Sequence, residues 1–257
     1  FKQKTAYEIG VRLVGSEMCI RDRSSASANF SDSRMNQTVK KIFDQHRPLC
    51  LASSSPRRKD MLQNFGLEFF SISPDIDESR RDSETAESFV KRVALDKARK
   101  IFQDHESLPG KTLILSGDTI VELQGHILGK PEDQLESGKM IERLSGKTHQ
   151  VSTAFVVLDT SNGEELVQQV STKVTFRNLD AGMKKWYQGL GEGLDKAGAY
   201  SIQGHGSLLV SRIEGSYPNV VGFPIEQVLE TLLKKGWISL CTSGQERMNQ
   251  ESLIRMR

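Results

Sequence analysis

Apolar positions along the middle of the chain recur at two periods, and the switch between them lays out the secondary structure. "LCLAS", residues 49–53, is a short apolar run that predicts a buried strand. Ser55-Pro56 then offers a helix N-cap and a proline at the first helical position. Met61, Leu62 and Phe65 give the helix one apolar face, and Gly66 ends it. "LEFFSISP" predicts a second strand. From Ser88 to Phe102, residues Phe89, Val93, Ala94, Ala98 and Ile101 recur at three- and four-residue steps, the mark of an amphipathic helix.

"TLILSGDTIVELQGHIL" predicts two strand pieces around polar punctuation at Gly117-Asp118-Thr119, then a hairpin turn at Gln124-Gly125. A helix over 132–144 ends near Gly146. "HQVSTAFVVLDT" and "EELVQQVSTKVTFRNL" are strands joined by the turn residues Asn162-Gly163. A helix around 180–189, a glycine-rich loop, a strand in "SLLVSRIEGS" and a closing helix in "GFPIEQVLETLLKKG" complete the pattern. Hairpins interrupt any strict β-α-β alternation, so the predicted class is α/β, with a mixed, twisted β-sheet flanked by helices.

The pattern stops at both ends. Residues 1–48 read as a leader and flexible linker foreign to the fold, with "SSASANFSDS" as the linker; 49–237 is the domain, and 238–257 is a polar tail. The first 23 residues fail as a signal peptide because Glu8, Arg12 and Glu17 break the apolar stretch. No apolar run approaches the ~18 residues of a membrane span.

Charge narrows the chemistry. Lys+Arg is 35 and Asp+Glu 33, a net of +2, which does not suit a nucleic-acid coating protein. Cys19, Cys50 and Cys241 lie far apart and form no CxxC, which fits a reducing compartment, the cytoplasm. Positive charge is instead local. Ser53-Ser54-Ser55-Pro56-Arg57-Arg58 puts hydroxyls and two guanidinium groups at a helix start, where free N–H groups favour an anion. Alone, this stretch is equally a capped helix with solvated arginines. Asp118-Thr119 reads either as a turn or as a carboxylate held for a metal or a proton. Glu78 follows a strand and a proline, Lys97 lies at the apolar edge of the 88–102 helix, and Lys130 precedes Pro131 in a rigid turn. "LDKAGAYSIQG" holds Asp195, Lys196 and Gln203 among small residues. Cations at 57, 58, 97, 130 and 196 against Glu78 and Asp118 suit a polyphosphate with a divalent metal. There is no Walker A motif, and "GLGEG" is not a dinucleotide fingerprint.

Eight stretches carry a resemblance: "LASSSPRR", "DIDES", "FVKRVALDKA", "GDTIV", "LGKP", "LSGKTHQVSTA", "DKAGAYSIQG" and "IEGSYPNVVGFP". In this order, over roughly residues 49–235, the chain resembles the Maf family of nucleotide pyrophosphatases. The resemblance implies two lobes around a nucleotide cleft, in an inosine-triphosphatase-like fold. It implies hydrolysis of a nucleoside triphosphate to the monophosphate and pyrophosphate, with Mg²⁺ or Mn²⁺. It implies Ser53, Arg57 and Arg58 as phosphate-facing residues, and Glu78, Lys97, Lys130 and Asp118 as catalytic ones. Asp118 is then the proton acceptor, Glu78 and Asp118 hold the metal, and Arg57, Thr119 and Gln203 select the base. Thr119 points to the dTTP/UTP-type branch, since the 7-methyl-GTP-type branch tends to carry S-D-Q there. A homodimer is implied, and neither nucleic acid nor membrane is an expected partner. Alternatives are a pyrophosphatase for 7-methyl-GTP or other non-canonical nucleotides, and a nucleotide-binding regulatory module without turnover. The glycine-rich "GLGEG" departs from the family and is expected to loosen the loop that follows.

Overall fold

The computed structural model describes residues 42–104 and 108–241, so most of the expected leader and tail lies outside it. The described chain runs β1 (Phe43–Gln45), β2 (Leu49–Ala52), α1 (Pro56–Asn64), β3 (Phe70–Ile72), α2 (Ala86–Asp104), β4 (Leu113–Leu123) and β5 (His126–Leu128). It continues through α3 (Gln134–Leu144), β6 (Thr148–Asp159), β7 (Glu164–Phe176), α4 (Ala181–Leu190), β8 (Val210–Glu214), α5 (Tyr217–Val221), α6 (Ile225–Lys234) and β9 (Ile238–Leu240). No helix among the described residues is long and apolar enough to cross a membrane.

The expected mixed α/β sheet is present. Its strand order is β3-β2-β4-β6-β7-β8, with β5 beside β4. β2 is parallel to both β3 and β4, and every other pairing in the sheet is antiparallel. Side-chain alternation along β4 sends Ile114 and Ile120 against Val90, Ala94, Ala98 and Ile101 of α2. Leu113 and Leu115 on the other face join Leu62 of α1 and Val228 and Leu232 of α6. Farther along, Val121 and Leu123 enter a third cluster with Ile141, Leu144, Phe176 and Tyr187.

Local chemistry fixes the helix starts. Asp133 and Asp180 accept hydrogen bonds from the backbone N–H groups of Glu136 and Met183 at 2.7 and 2.8 Å. Thr85 accepts from Ser88 N at 3.1 Å. The Gln124-Gly125 hairpin forms as expected, both residues taking positive φ (51° and 80°), which suits a two-residue turn between twisted strands.

Three expectations change, and one element is new. β4 is one continuous strand, so Asp118 does not sit at a break: Gly117, Asp118 and Thr119 pair in register with Phe155, Ala154 and Thr153 of β6. A polar side chain is tolerated there because a lysine on α2 meets it, as described below. The ordered fold also extends past both edges of 49–237, since β1 and β9 pair antiparallel and bury Phe43 and Ile238 to 5% and 2% exposure. Ser207 to Leu209 belong to a 3₁₀ turn, Gly204–Leu209, rather than to β8. Finally, α5 was not apparent from the periodicity, being only five residues long.

Candidate active site

β2 stops at Ala52, whereas its parallel neighbour β4 runs on to Leu123. The crevice beyond the carboxyl end of β2 is where such sheets place ligands. A cavity of about 500 Å³ opens there, within the size range of small-molecule sites. Ser53 lines it from the β2–α1 turn, Arg57 and Arg58 from the first turn of α1, Glu78 from the segment after β3, and Lys97 from α2. Asp118 and Thr119 come from β4, Lys130 from the turn after β5, and Gln203 from the loop after α4. The structure therefore brings every predicted site residue to one pocket.

Lys97 organises its acidic side. The ammonium Nζ lies 2.9 Å from Glu78 Oε1 and 2.8 Å from Asp118 Oδ1. The Lys97 side chain is 9% exposed and that of Asp118 13%, so charge this deep is sustained by pairing. One cation spans α2, β4 and the loop after β3, fixing where both carboxylates point. Among the described residues no group of three or more His, Cys, Asp or Glu is placed to hold a metal. Two converging carboxylates still fit Mg²⁺ or Mn²⁺, because Mg²⁺ takes one or two carboxylates and fills its other positions with water and substrate phosphate.

The two arginines differ. Arg58 is 8% exposed; its Nε donates to Gly222 O at 3.0 Å, Nη1 to Ser53 Oγ at 3.2 Å and Nη2 to Thr119 Oγ1 at 3.2 Å. Burial pulls its pKa down, and the Asp118 charge opposes that pull. Arg58 thus ties three walls of the pocket together. Arg57, with its side chain 29% exposed, reaches across the pocket to within 3.6 Å of Asp195 Oδ2. Burial favours the neutral Asp195 carboxyl, but the Lys196 hydrogen bond and the Lys196 and Arg57 charges outweigh it and hold the pKa below its ordinary value.

Ser55 stands at the N-cap of α1 without a side-chain cap bond; its own N–H goes to Ser53 Oγ at 3.2 Å. Thr119 Oγ1 shares hydrogen bonds with Thr153 Oγ1 at 2.9 Å and Gly222 O at 3.2 Å. Thr153 and Gly222 lie within the quoted stretches but were not singled out as site residues, since neither carries charge. Lys196, counted among the cations, donates to Glu192 O at 2.8 Å and to Asp195.

The glycine-rich stretch tightens the loop it was expected to loosen. Gly191 closes α4 at φ 66°. A Cβ at Gly193 would lie 1.9 Å from Ala199 O, so only glycine lets these backbone segments approach.

A family model described as Maf-like protein matches residues 48–235. The chain belongs to this family. A dTTP/UTP pyrophosphatase of Myxococcus xanthus (strain DK1622) is 45% identical to this Maf-like protein over 188 residues, 73% of this chain and 92% of that one. A dTTP/UTP pyrophosphatase of Desulfotalea psychrophila (strain LSv54 / DSM 12343) is 42% identical over 199 residues, 77% of this chain and 100% of that one. Among solved structures, the Staphylococcus aureus Ham1 protein aligns at 13% identity and a TM-score of 0.39, over 74% of this chain and 100% of that one. A likeness that low carries no weight, and the architecture of the Maf-like protein rests on its own strand order.

Proposed function

We propose that this Maf-like protein is a nucleoside triphosphate pyrophosphatase acting on dTTP and UTP. The observation that carries the reading is the Lys97-centred pair of carboxylates facing Arg57 and Lys130 across one cavity. Relatives at 45% and 42% identity bear the name dTTP/UTP pyrophosphatase, which supports the substrate class.

The triphosphate lies against Arg57, Lys130 and the start of α1, whose charges and N–H groups offset the phosphate oxygens. Arg58 and Ser53 shape that surface from behind. Lys97 engages Asp118 Oδ1, which leaves Oδ2 to take a proton from water. The water oxygen bonds to the α-phosphorus as the α–β bridging bond breaks, and pyrophosphate leaves with the bonding electron pair. The products are the nucleoside monophosphate and pyrophosphate. A divalent cation held by Glu78 and Asp118 supplies charge neutralisation on the phosphate oxygens when bound. Thr119, Arg57 and Gln203 face the base. The reading takes the enzyme as cytoplasmic and homodimeric, with no nucleic-acid partner.

The deciding experiment is a panel of canonical, methylated and deaminated nucleoside triphosphates assayed for pyrophosphate release with Mg²⁺ or Mn²⁺. Highest kcat/KM with dTTP and UTP is expected. Preference for 7-methyl-GTP overturns the base assignment, and binding without turnover favours a regulatory module.

A further inference from the structure

"LSGKTHQVSTA" contributes a histidine that the chemistry above does not use. His149 lies on β6 at 3% exposure, and its Nε2 is 2.8 Å from the Tyr200 hydroxyl. Its ring meets Phe176 edge-on at 5.1 Å and Tyr200 at 5.4 Å, and those two meet each other at 4.9 Å. Burial pulls the His149 pKa down to about 4, so the imidazole is neutral near pH 7. Its Nδ1 is buried without a hydrogen-bond partner. A phenylalanine would fill the same space among these rings and orphan no nitrogen. What the imidazole adds is the bond to Tyr200.

Tyr200 begins the stretch 200–203, which lines the pocket and carries Gln203. That stretch follows a backbone that does not hold its shape unaided: Gly198 and Ala199 both take positive φ, 73° and 60°. A left-handed alanine persists only where its surroundings determine it. Two side chains behind the wall do so. Tyr200 is held at its hydroxyl by His149, and Ser201 N donates to the Tyr187 hydroxyl of α4 at 3.0 Å.

We propose that His149 is a positioning residue for nucleotide selection: by fixing Tyr200 it holds the pocket wall that presents Gln203 to the base. The proposal rests on the reading of this pocket as a nucleoside triphosphate site. His149 touches no substrate and acts only through Tyr200, so the two residues form one device.

The test uses the full chain with His149→Phe, Tyr200→Phe, the double variant, and His149→Gln, whose amide reaches toward the same hydroxyl. Pyrophosphate release from dTTP and dGTP is measured, and a non-hydrolysable dTTP analogue is titrated by calorimetry. His149→Phe should raise KM for dTTP and weaken analogue binding by about 3- to 10-fold, the size of one lost hydrogen bond, with kcat within about two-fold. The dTTP-over-dGTP preference should fall by a similar factor. Tyr200→Phe removes one oxygen and keeps the ring, so it reports even if the histidine variants fold poorly. It should match His149→Phe, the double variant should be no worse than either single one, and His149→Gln should recover part of the loss. Wild-type kinetics and binding in Tyr200→Phe, or additive losses in the double variant, overturn the proposal. An equal fall in kcat on both substrates also overturns it. A wild-type protein that neither turns over nor binds the nucleotides defeats the functional reading itself, and the proposal with it; variants that bind like an active wild type defeat the proposal alone.

Discussion

Lys97 and Asp118 meet at 2.8 Å between a helix and the middle of a strand, and Glu78 closes on the same ammonium at 2.9 Å. The ammonium sits between two carboxylates whose charges would otherwise repel each other.

Asp118→Asn keeps the shape of the side chain and removes its basicity. It should lower kcat for pyrophosphate release by about 10²-fold or more, with unfolding followed alongside because the buried Lys97 loses one charged partner. Full activity in this variant would remove Asp118 from the chemistry.

Withdrawal of divalent cations by a chelator should abolish turnover, and added Mg²⁺ or Mn²⁺ should restore it. Glu78→Gln should raise the Mg²⁺ concentration needed for half-maximal rate, which a metal titration reads directly. Unchanged metal dependence in that variant would place the cation elsewhere.

Arg58→Lys preserves the charge but cannot serve Gly222, Ser53 and Thr119 at once. Loss of hydrogen bonds to a buried charged group should cost about 1.5–3 kcal/mol in urea unfolding and raise KM as the pocket walls part. A variant as stable as wild type would mean that these bonds are dispensable.

Gly193→Ala forces a methyl group onto Ala199 O. The 194–203 loop should leave its place, raising KM at least several-fold and making the loop a site of limited proteolysis. A protease-resistant variant with wild-type KM would show that the close approach does not hold the loop.

Folding stability should depend on pH through His149, whose ordinary pKa of 6.5 is pulled down to about 4 by burial. Above pH 6.5 the ring is neutral in both states and its contribution is fully present. Between pH 6.5 and 4 the unfolded chain binds a proton that the folded chain refuses, so stability falls with pH, by at most roughly 3 kcal/mol. His149→Phe should flatten this slope in urea denaturation between pH 7 and 4.5. Parallel profiles for the two proteins would refute it.

Charge marked most of the candidate site, and the family resemblance added Gln203 and the roles. Arg57, Glu78, Lys97, Asp118, Lys130 and Gln203 stand in short recognisable stretches, and all reach one cavity. What the fold does with each side chain was less visible. Arg57 and Arg58 are adjacent and chemically identical, but only the second is buried, because α1 turns it toward Gly222 and Thr119. Thr153 and Gly222 come into play through long-range pairing that no local pattern encodes. The polar run in β4 resembled a turn because Asp is unusual inside a strand. Its strand character depends on β6 and on a lysine 21 residues away in α2.

That uninterrupted β4 has a further meaning. Asp118 turns to the α2 face, toward Lys97, and Thr119 to the opposite face, toward Arg58 and Gly222. The residues proposed as proton acceptor and as base-facing hydroxyl are thus consecutive on opposite sides of one strand. A slip of a single residue against β6 would exchange their faces and leave a hydroxyl where the carboxylate belongs. The in-register ladder from Leu113 opposite Asp159 to Glu122 opposite Gln150 acts as a vernier, and in the proposed enzyme one scale would calibrate both chemistry and selectivity.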